Sequence, residues 1–149
     1  KVFSIMNFAT INDFDTVWNI FEENKTWFPH VRKSHIRNRL SWGQVILQNN
    51  VVITQQQYKR RGKIGHDTDV ITEKGDYIIH QIIAKNRDGS AAKVIKDYFD
   101  YVESDVWLTV REENHIACKF YDKIGMEKAG YINWSKGKMK GLVWKKTKK

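Results

Sequence analysis

The sequence predicts a single α/β domain, of α+β character, around a mixed β-sheet. Three patterns carry that expectation. A strand pattern, an amphipathic helix pattern and a second strand pattern follow one another between residues 76 and 110, the order of a β-α-β unit. Two helical patterns precede a hairpin in the first half, and two further strand patterns close the chain. A chain of 149 residues suits one domain with a substantial core, and 41% hydrophobic with 13% aromatic residues is a globular composition.

Taken in order, VFSIM (2–6) reads as a strand. Phe14, Val17, Trp18 and Phe21 recur at helical spacing behind Asp13, a good N-cap residue, so a first helix follows. Trp27-Phe28-Pro29-His30 interrupts it, because proline cannot continue the hydrogen-bond ladder and pushes its predecessor towards an extended conformation. A second, basic helix is expected from about Lys33 to Trp42, ended by Gly43. VIL and VVIT then flank Gln48-Asn49-Asn50, the composition of a tight hairpin. Lys59 to Gly75 is polar and glycine-containing, and reads as a loop or irregular excursion.

DYIIHQIIA follows as a buried strand and VWLTV as another. Between them, Val94, Ile95, Tyr98, Phe99 and Val102 mark one face of a helix over SAAKVIKDYFDYV. ENHIACKFYDKIG repeats that spacing with Ile116, Ala117, Phe120, Tyr121 and Ile124. Strands around 127–134 and 139–146, separated by Ser135-Lys136-Gly137-Lys138, complete the sheet. No repeat, low-complexity segment or linker divides residues 1–149.

The formal charge of +9 implies a surface that attracts polyanions or an acidic ligand. Lys145, Lys146, Lys148 and Lys149 form a basic tail, read as a solvated end. Arg32, His35 and Arg39 recur at helical spacing, and Lys59, Arg60, Arg61 and Lys63 cluster in the polar stretch. Both read as solvated surface, with contact to an anion or nucleic acid as the alternative. No apolar run approaches bilayer length and the N-terminal stretch lacks a signal pattern, so a soluble, cytoplasmic protein is expected. The single Cys118 agrees with a reducing compartment. Five scattered histidines, with neither paired cysteines nor a His-Glu-any-any-His helix, give no reason to expect a metal.

Two motifs lie in this frame. NRDGSA, Asn86 to Ala91, joins a buried strand to a helix, where unpaired backbone N–H groups and the positive end of the helix dipole favour a diphosphate. RRGKIG (60–65) resembles such a loop in composition, but no amphipathic helix follows it. The second is ENHIACKFYDKIG, with Asn114, Ala117, Phe120, Tyr121 and Gly125 at fixed spacing directly after a strand.

These motifs and the element order resemble the GNAT superfamily of N-acetyltransferases over nearly the whole chain. NRDGSA resembles that family's pyrophosphate loop, Gln or Arg, any two residues, Gly, any residue, then Gly or Ala; Asn86 departs from the usual first residue, and Gly89 and Ala91 match. The second motif resembles the family's signature Asn, any two, Ala, any two, Phe-Tyr, any two, Gly, with three residues rather than two between Tyr121 and Gly125. The resemblance implies a mostly antiparallel central sheet with helices on both faces. It also implies an acetyl-CoA-dependent N-acetyltransferase, with Tyr121 beside the thioester sulfur as general acid to the departing thiolate. Cofactor contacts would come from the backbone of Ile82, Ile83 and Ala84, from Asn86, Arg87, Asp88, Gly89, Ser90 and Ala91, and from Asn114 holding the pantetheine or acetyl group.

The attacking amine must be neutral, and His80, on the strand before the phosphate loop, is the candidate base because imidazole titrates near neutrality. Glu73 and Asp76 are the carboxylate alternatives. The resemblance places Trp27, Phe28, His30 and Arg32 at the wall of an acceptor site, which suits a planar or anionic acceptor. The acceptor is open between a small amine, a protein amino group and a nucleobase, and the quaternary state between monomer and homodimer. The competing reading is a non-catalytic basic module that binds nucleic acid on the same scaffold.

Overall fold

The computed structural model describes residues 5–148. The helices are α1 (Phe14–Glu23), α2 (Lys33–Ser41), α3 (Ser90–Val102) and α4 (His115–Lys123). The strands are β1 (Val45–Gln48), β2 (Val51–Gln57), β3 (Gly62–Lys63), β4 (Ile71–Thr72), β5 (Tyr77–Ala84), β6 (Val106–Arg111), β7 (Glu127–Trp134) and β8 (Met139–Lys146). Six strands pair in the order β1-β2-β5-β6-β8-β7, and β3 pairs with β4 in a second small sheet. The β5–β6 pair is parallel, while β1–β2, β6–β8 and β7–β8 are antiparallel. The chain forms two compact units: the described part of Lys1–Gln55 with His80–Tyr101, and Gln56–Ile79 with the described part of Val102–Lys149.

In the first unit the β1–β2 hairpin turns at Asn49 and Asn50, whose φ values of 50° and 60° are the left-handed conformation that a two-residue turn needs and asparagine tolerates. Residues 2–4 of the expected first strand lie outside the described residues, and Ile5 and Met6 are not in a strand. Pairing with β1 begins instead at Asn7, whose carbonyl accepts from Leu47 N and whose Nδ2 donates to Leu47 O at 2.8 Å. Asp13 precedes α1, but its carboxylate accepts the Thr10 N–H at 2.8 Å and so closes a preceding short 3-10 turn rather than capping α1.

Val17, Ile20 and Phe21 of α1 and Ile36 and Leu40 of α2 bury against Val45, Val52 and Ile83. Gln55 lies three residues beyond Val52 and so on the other face of β2; it accepts a hydrogen bond from the fully buried Tyr98 of α3 at 3.0 Å. Helices therefore cover both faces of this half of the sheet.

In the second unit α4 lies over β8, where the Tyr121 and Trp144 rings meet edge to face. The opposite face carries Trp107, Ile132 and Val143, covered by Ile64, Val70 and Trp134. Ile64 and Val70 belong to the stretch read as an irregular loop. It forms the β3–β4 hairpin, tied to β7 by Asn133 N donating to Asp67 O at 3.0 Å and by the Thr68 hydroxyl donating to Tyr131 O. So few apolar residues in a polar stretch conceal a packed element.

Gly130 sits at the β7 irregularity with φ 154°, and a Cβ there would meet Val70 Cγ2 at 2.5 Å. Gly62 has open space around it. Gly130→Ala is expected to lower the unfolding free energy by about 1–3 kcal/mol in urea titration, and Gly62→Ala to change it by less than about 1 kcal/mol.

Candidate active site

The first unit presents the Asn86–Ala91 loop between β5 and α3. Gly89 holds φ at 87°, the left-handed region that glycine enters without strain, and a Cβ there would meet nothing within 4 Å. Asp88 Oδ1 accepts the Ser90 N–H at 3.0 Å, and its hydrogen bonds with Ser90 hold that carboxyl below its ordinary range. One N–H of the first turn is thus taken by the protein's own carboxylate, while Ala91 and the following alanine keep the rest of that turn clear of bulky side chains. Arg87 is exposed beside them. Ile82–Ala84 complete β5 beyond Tyr77–Ile79, the residues paired in register with β6; the Ile83 side chain is buried in the core.

His80 lies midway along β5. Burial, and secondly the Arg39 charge, push its pKa down to about 4. The expectation of an imidazole titrating near neutrality is therefore overturned. Arg39 is itself half-buried on α2, where its Nη1 donates to Gln44 Oε1 at 3.1 Å. The carboxylate alternatives are engaged elsewhere, in the second unit. Asp76 Oδ2 accepts from Trp107 Nε1 at 2.8 Å and from Glu73 N at 2.9 Å, and Glu73 pairs with Arg61 at 3.0 Å.

Of the expected acceptor wall, Phe28 packs its ring edge-on to Phe21 at 5.9 Å and belongs to the core. Trp27, His30 and Arg32 are exposed, Trp27 by 54%.

The second unit holds the Asn114–Gly125 motif on α4. Asn114 is the N-cap, its Oδ1 accepting from Ala117 N at 3.1 Å, which leaves Nδ2 as the donor that its side chain can offer a ligand. Gly125 has φ 92° just past the helix, a conformation that glycine adopts without a Cβ penalty. Tyr121 is held between Phe120 and Trp144, with ring centroids 5.9 and 6.0 Å away. Burial, with Cys118 adding a little, pushes the Tyr121 phenol up to about 12, so it remains a proton donor at any physiological pH.

Cys118 belongs to the same cluster. Burial raises its thiol, opposed by the Lys128 charge and by the Trp144 indole. That indole Nε1 is buried without a partner of hydrogen-bond geometry among the described residues, so its influence on the sulfur is one of proximity. Sequence reading did not single out Trp144 or Cys118 beside Tyr121, and read Arg39 as solvated surface or an anion contact, because the surroundings of each come from tertiary contacts that no local pattern records.

A histidine depressed on folding binds fewer protons than it does in the unfolded chain between pH 4 and 6.5. Its contribution to stability is therefore complete above about pH 6.5 and is lost as pH falls through that window. His80→Gln is expected to flatten the loss of stability between pH 6.5 and 4, measured by urea unfolding at each pH. An unchanged slope would place the depression elsewhere.

No protein-family model and no curated protein sequence matches the chain. Solved structures do match it. An acetyltransferase of the GNAT family from Streptococcus agalactiae shares 16% identity at a TM-score of 0.77, covering 97% of this chain and 95% of that one. NAA60 of Arabidopsis thaliana, in complex with a bisubstrate analogue, shares 11% identity at a TM-score of 0.69, covering 97% and 99%. A chain of the NatC complex bound to Gag peptide and CoA shares 11% identity at a TM-score of 0.67, covering 97% and 98%. With a mixed six-stranded sheet and four α-helices among the described residues, the chain has the fold of the GNAT-family acetyltransferases.

Proposed function

We propose that the protein is an acetyl-CoA-dependent N-acetyltransferase that moves the acetyl group to an amine by direct attack on the thioester. The observation that carries this reading is Tyr121, packed edge-on to Trp144 on the helix that also bears Asn114, Ala117, Phe120 and Gly125 of the motif. The fold shared with a chain of the NatC complex bound to Gag peptide and CoA supports the choice of cofactor.

The residues fit such a cofactor. Gly89 leaves open space at the mouth of α3, the first-turn N–H groups and Arg87 suit a diphosphate, and the backbone of Ile82–Ala84 can hydrogen-bond amides laid alongside it. Acetyl-CoA supplies an activated acyl group and a thiolate leaving group. Tyr121 donates its phenolic proton to the sulfur as the thiolate departs. Asn114 Nδ2 orients the acyl or pantetheine portion.

His80 is neutral at working pH, and with a pKa near 4 it holds a proton poorly. We assign it to relaying the amine proton towards solvent rather than to storing it. Positioning amine and thioester together contributes most of the acceleration. Trp27, His30 and Arg32 remain the proposed acceptor wall in the first unit.

Calorimetric titration with acetyl-CoA, with CoA as control, is expected to show micromolar binding. Absence of binding together with salt-sensitive binding of DNA or RNA would favour the nucleic-acid module instead. Tyr121→Phe is expected to lower kcat by about 100-fold with little change in cofactor affinity; equal loss of both would remove the general-acid role. Gly89→Glu, which brings bulk and negative charge to the loop, is expected to abolish cofactor binding while circular dichroism is retained.

A further inference from the structure

The net charge of the chain has one source. Residues 24–66 carry nine lysines and arginines and no aspartate or glutamate, and the rest of the 26 basic residues are equal in number to the 17 acidic ones. The whole of α2 lies within that acid-free stretch, in the first unit.

The cations of α2 divide between two sides of the helix. Lys33 Nζ stands 5.9 Å from the centre of the Trp18 ring and the Arg37 guanidinium 4.5 Å from that of Phe14, so these two cover aromatic rings of α1. Arg32, His35, Arg39 and Trp42 follow at i, i+3, i+7 and i+10, with Arg32 and Trp42 as the two caps. At 3.6 residues per turn they share an arc of about 80° on another side. Neither Arg32 nor Arg39 makes an ion pair among the described residues. Arg39 donates only to the neutral Gln44, and burial lowers its pKa, as for a guanidinium that has lost water without gaining a counter-charge. His35 Nδ1 accepts the Arg32 N–H at 3.2 Å, which leaves Nε2 as the donor of that ring. Trp42, at the end of the stripe, is 65% exposed.

A small anion would answer one guanidinium and leave the other, since Arg32 and Arg39 are separated by about 10 Å of helix. An acidic polypeptide would answer both but bring no flat partner to the indole. A nucleic-acid single strand brings both features, a row of phosphates and bases whose faces are open to stacking. In a duplex those faces are already stacked on one another.

We propose that this side of α2 binds single-stranded nucleic acid, with phosphates on Arg32 and Arg39, His35 donating to the same backbone, and a base stacked on Trp42. The proposal does not depend on acetyl transfer.

Fluorescence anisotropy of a labelled oligothymidylate, titrated with the protein from about 50 to about 200 mM salt, tests it. Affinity is expected to fall as salt rises. In Arg32→Gln/Arg39→Gln the slope of log affinity against log salt is expected to become shallower by about 1.4, or about 0.7 for each cation. Trp42→Ala is expected to weaken binding about tenfold at every salt concentration without changing the slope. Arg32 and Trp42 are exposed, so Arg32→Gln alone, with an expected change of about 0.7, and Trp42→Ala decide the matter even if the Arg39 substitution impairs folding. Absence of binding, or binding unchanged in these variants, would overturn the proposal. Equal affinity for the corresponding duplex or for polyglutamate would overturn it as well. So would a loss confined to Lys59→Gln/Arg60→Gln, which would move the contact to the second unit. Acetyl-CoA titration of the same protein keeps the two readings apart: strand binding without acetyl-CoA binding leaves the α2 surface standing and removes the acetyltransferase, and the converse removes the α2 surface alone.

Discussion

The Tyr121 ring stands edge-on to Trp144, and much of the chemistry that the second unit can offer depends on that contact. Desolvation there raises the phenol pKa, so the hydroxyl stays protonated and available as a hydrogen-bond donor, as an unshifted tyrosine at neutral pH also is. The same packing fixes the rotation of α4 about its axis. The helix ends are set locally, by Asn114 Oδ1 accepting from Ala117 N and by Gly125 at positive φ just past the last turn.

Burial acts in opposite senses on the two titratable groups of the proposed mechanism. It disfavours the phenolate of Tyr121 and the imidazolium of His80, so both groups are neutral over the whole physiological range. His80 is further discouraged from charging by Arg39, itself partly removed from water. Neutral groups cost little to keep in a partly dry environment, and their proton transfers are set by reaction geometry more than by ambient pH.

Much of this was legible from residue patterns. The helix over Ser90–Val102 falls where the apolar spacing places it, because Val94, Ile95, Tyr98 and Val102 are buried, and the strands over 127–134 and 139–146 fall on either side of the turn residues 135–138. The α4 motif was readable for a different reason: glycine, asparagine and small residues are demanded by backbone conformation and capping, which are local. The β3–β4 hairpin was not readable, since its few packed residues sit in a stretch dominated by charge. Asp13 misled for a related reason, because a residue suited to capping can serve the turn before the helix. Nor could the depressed His80 be anticipated, as it depends first on burial by the packed structure and secondly on the charge of Arg39, 41 positions earlier in the chain.

The β3–β4 hairpin also bears on how the protein behaves among its own copies. β7 is the last strand in the order of the main sheet, and such a strand is a template for another chain. Asp67 and Thr68 bond to its backbone, and Ile64 and Val70 cover the apolar face behind it. The hairpin therefore serves as a built-in guard against strand-to-strand polymerisation. Loop trimming in that stretch would trade a compact sequence for an adhesive one.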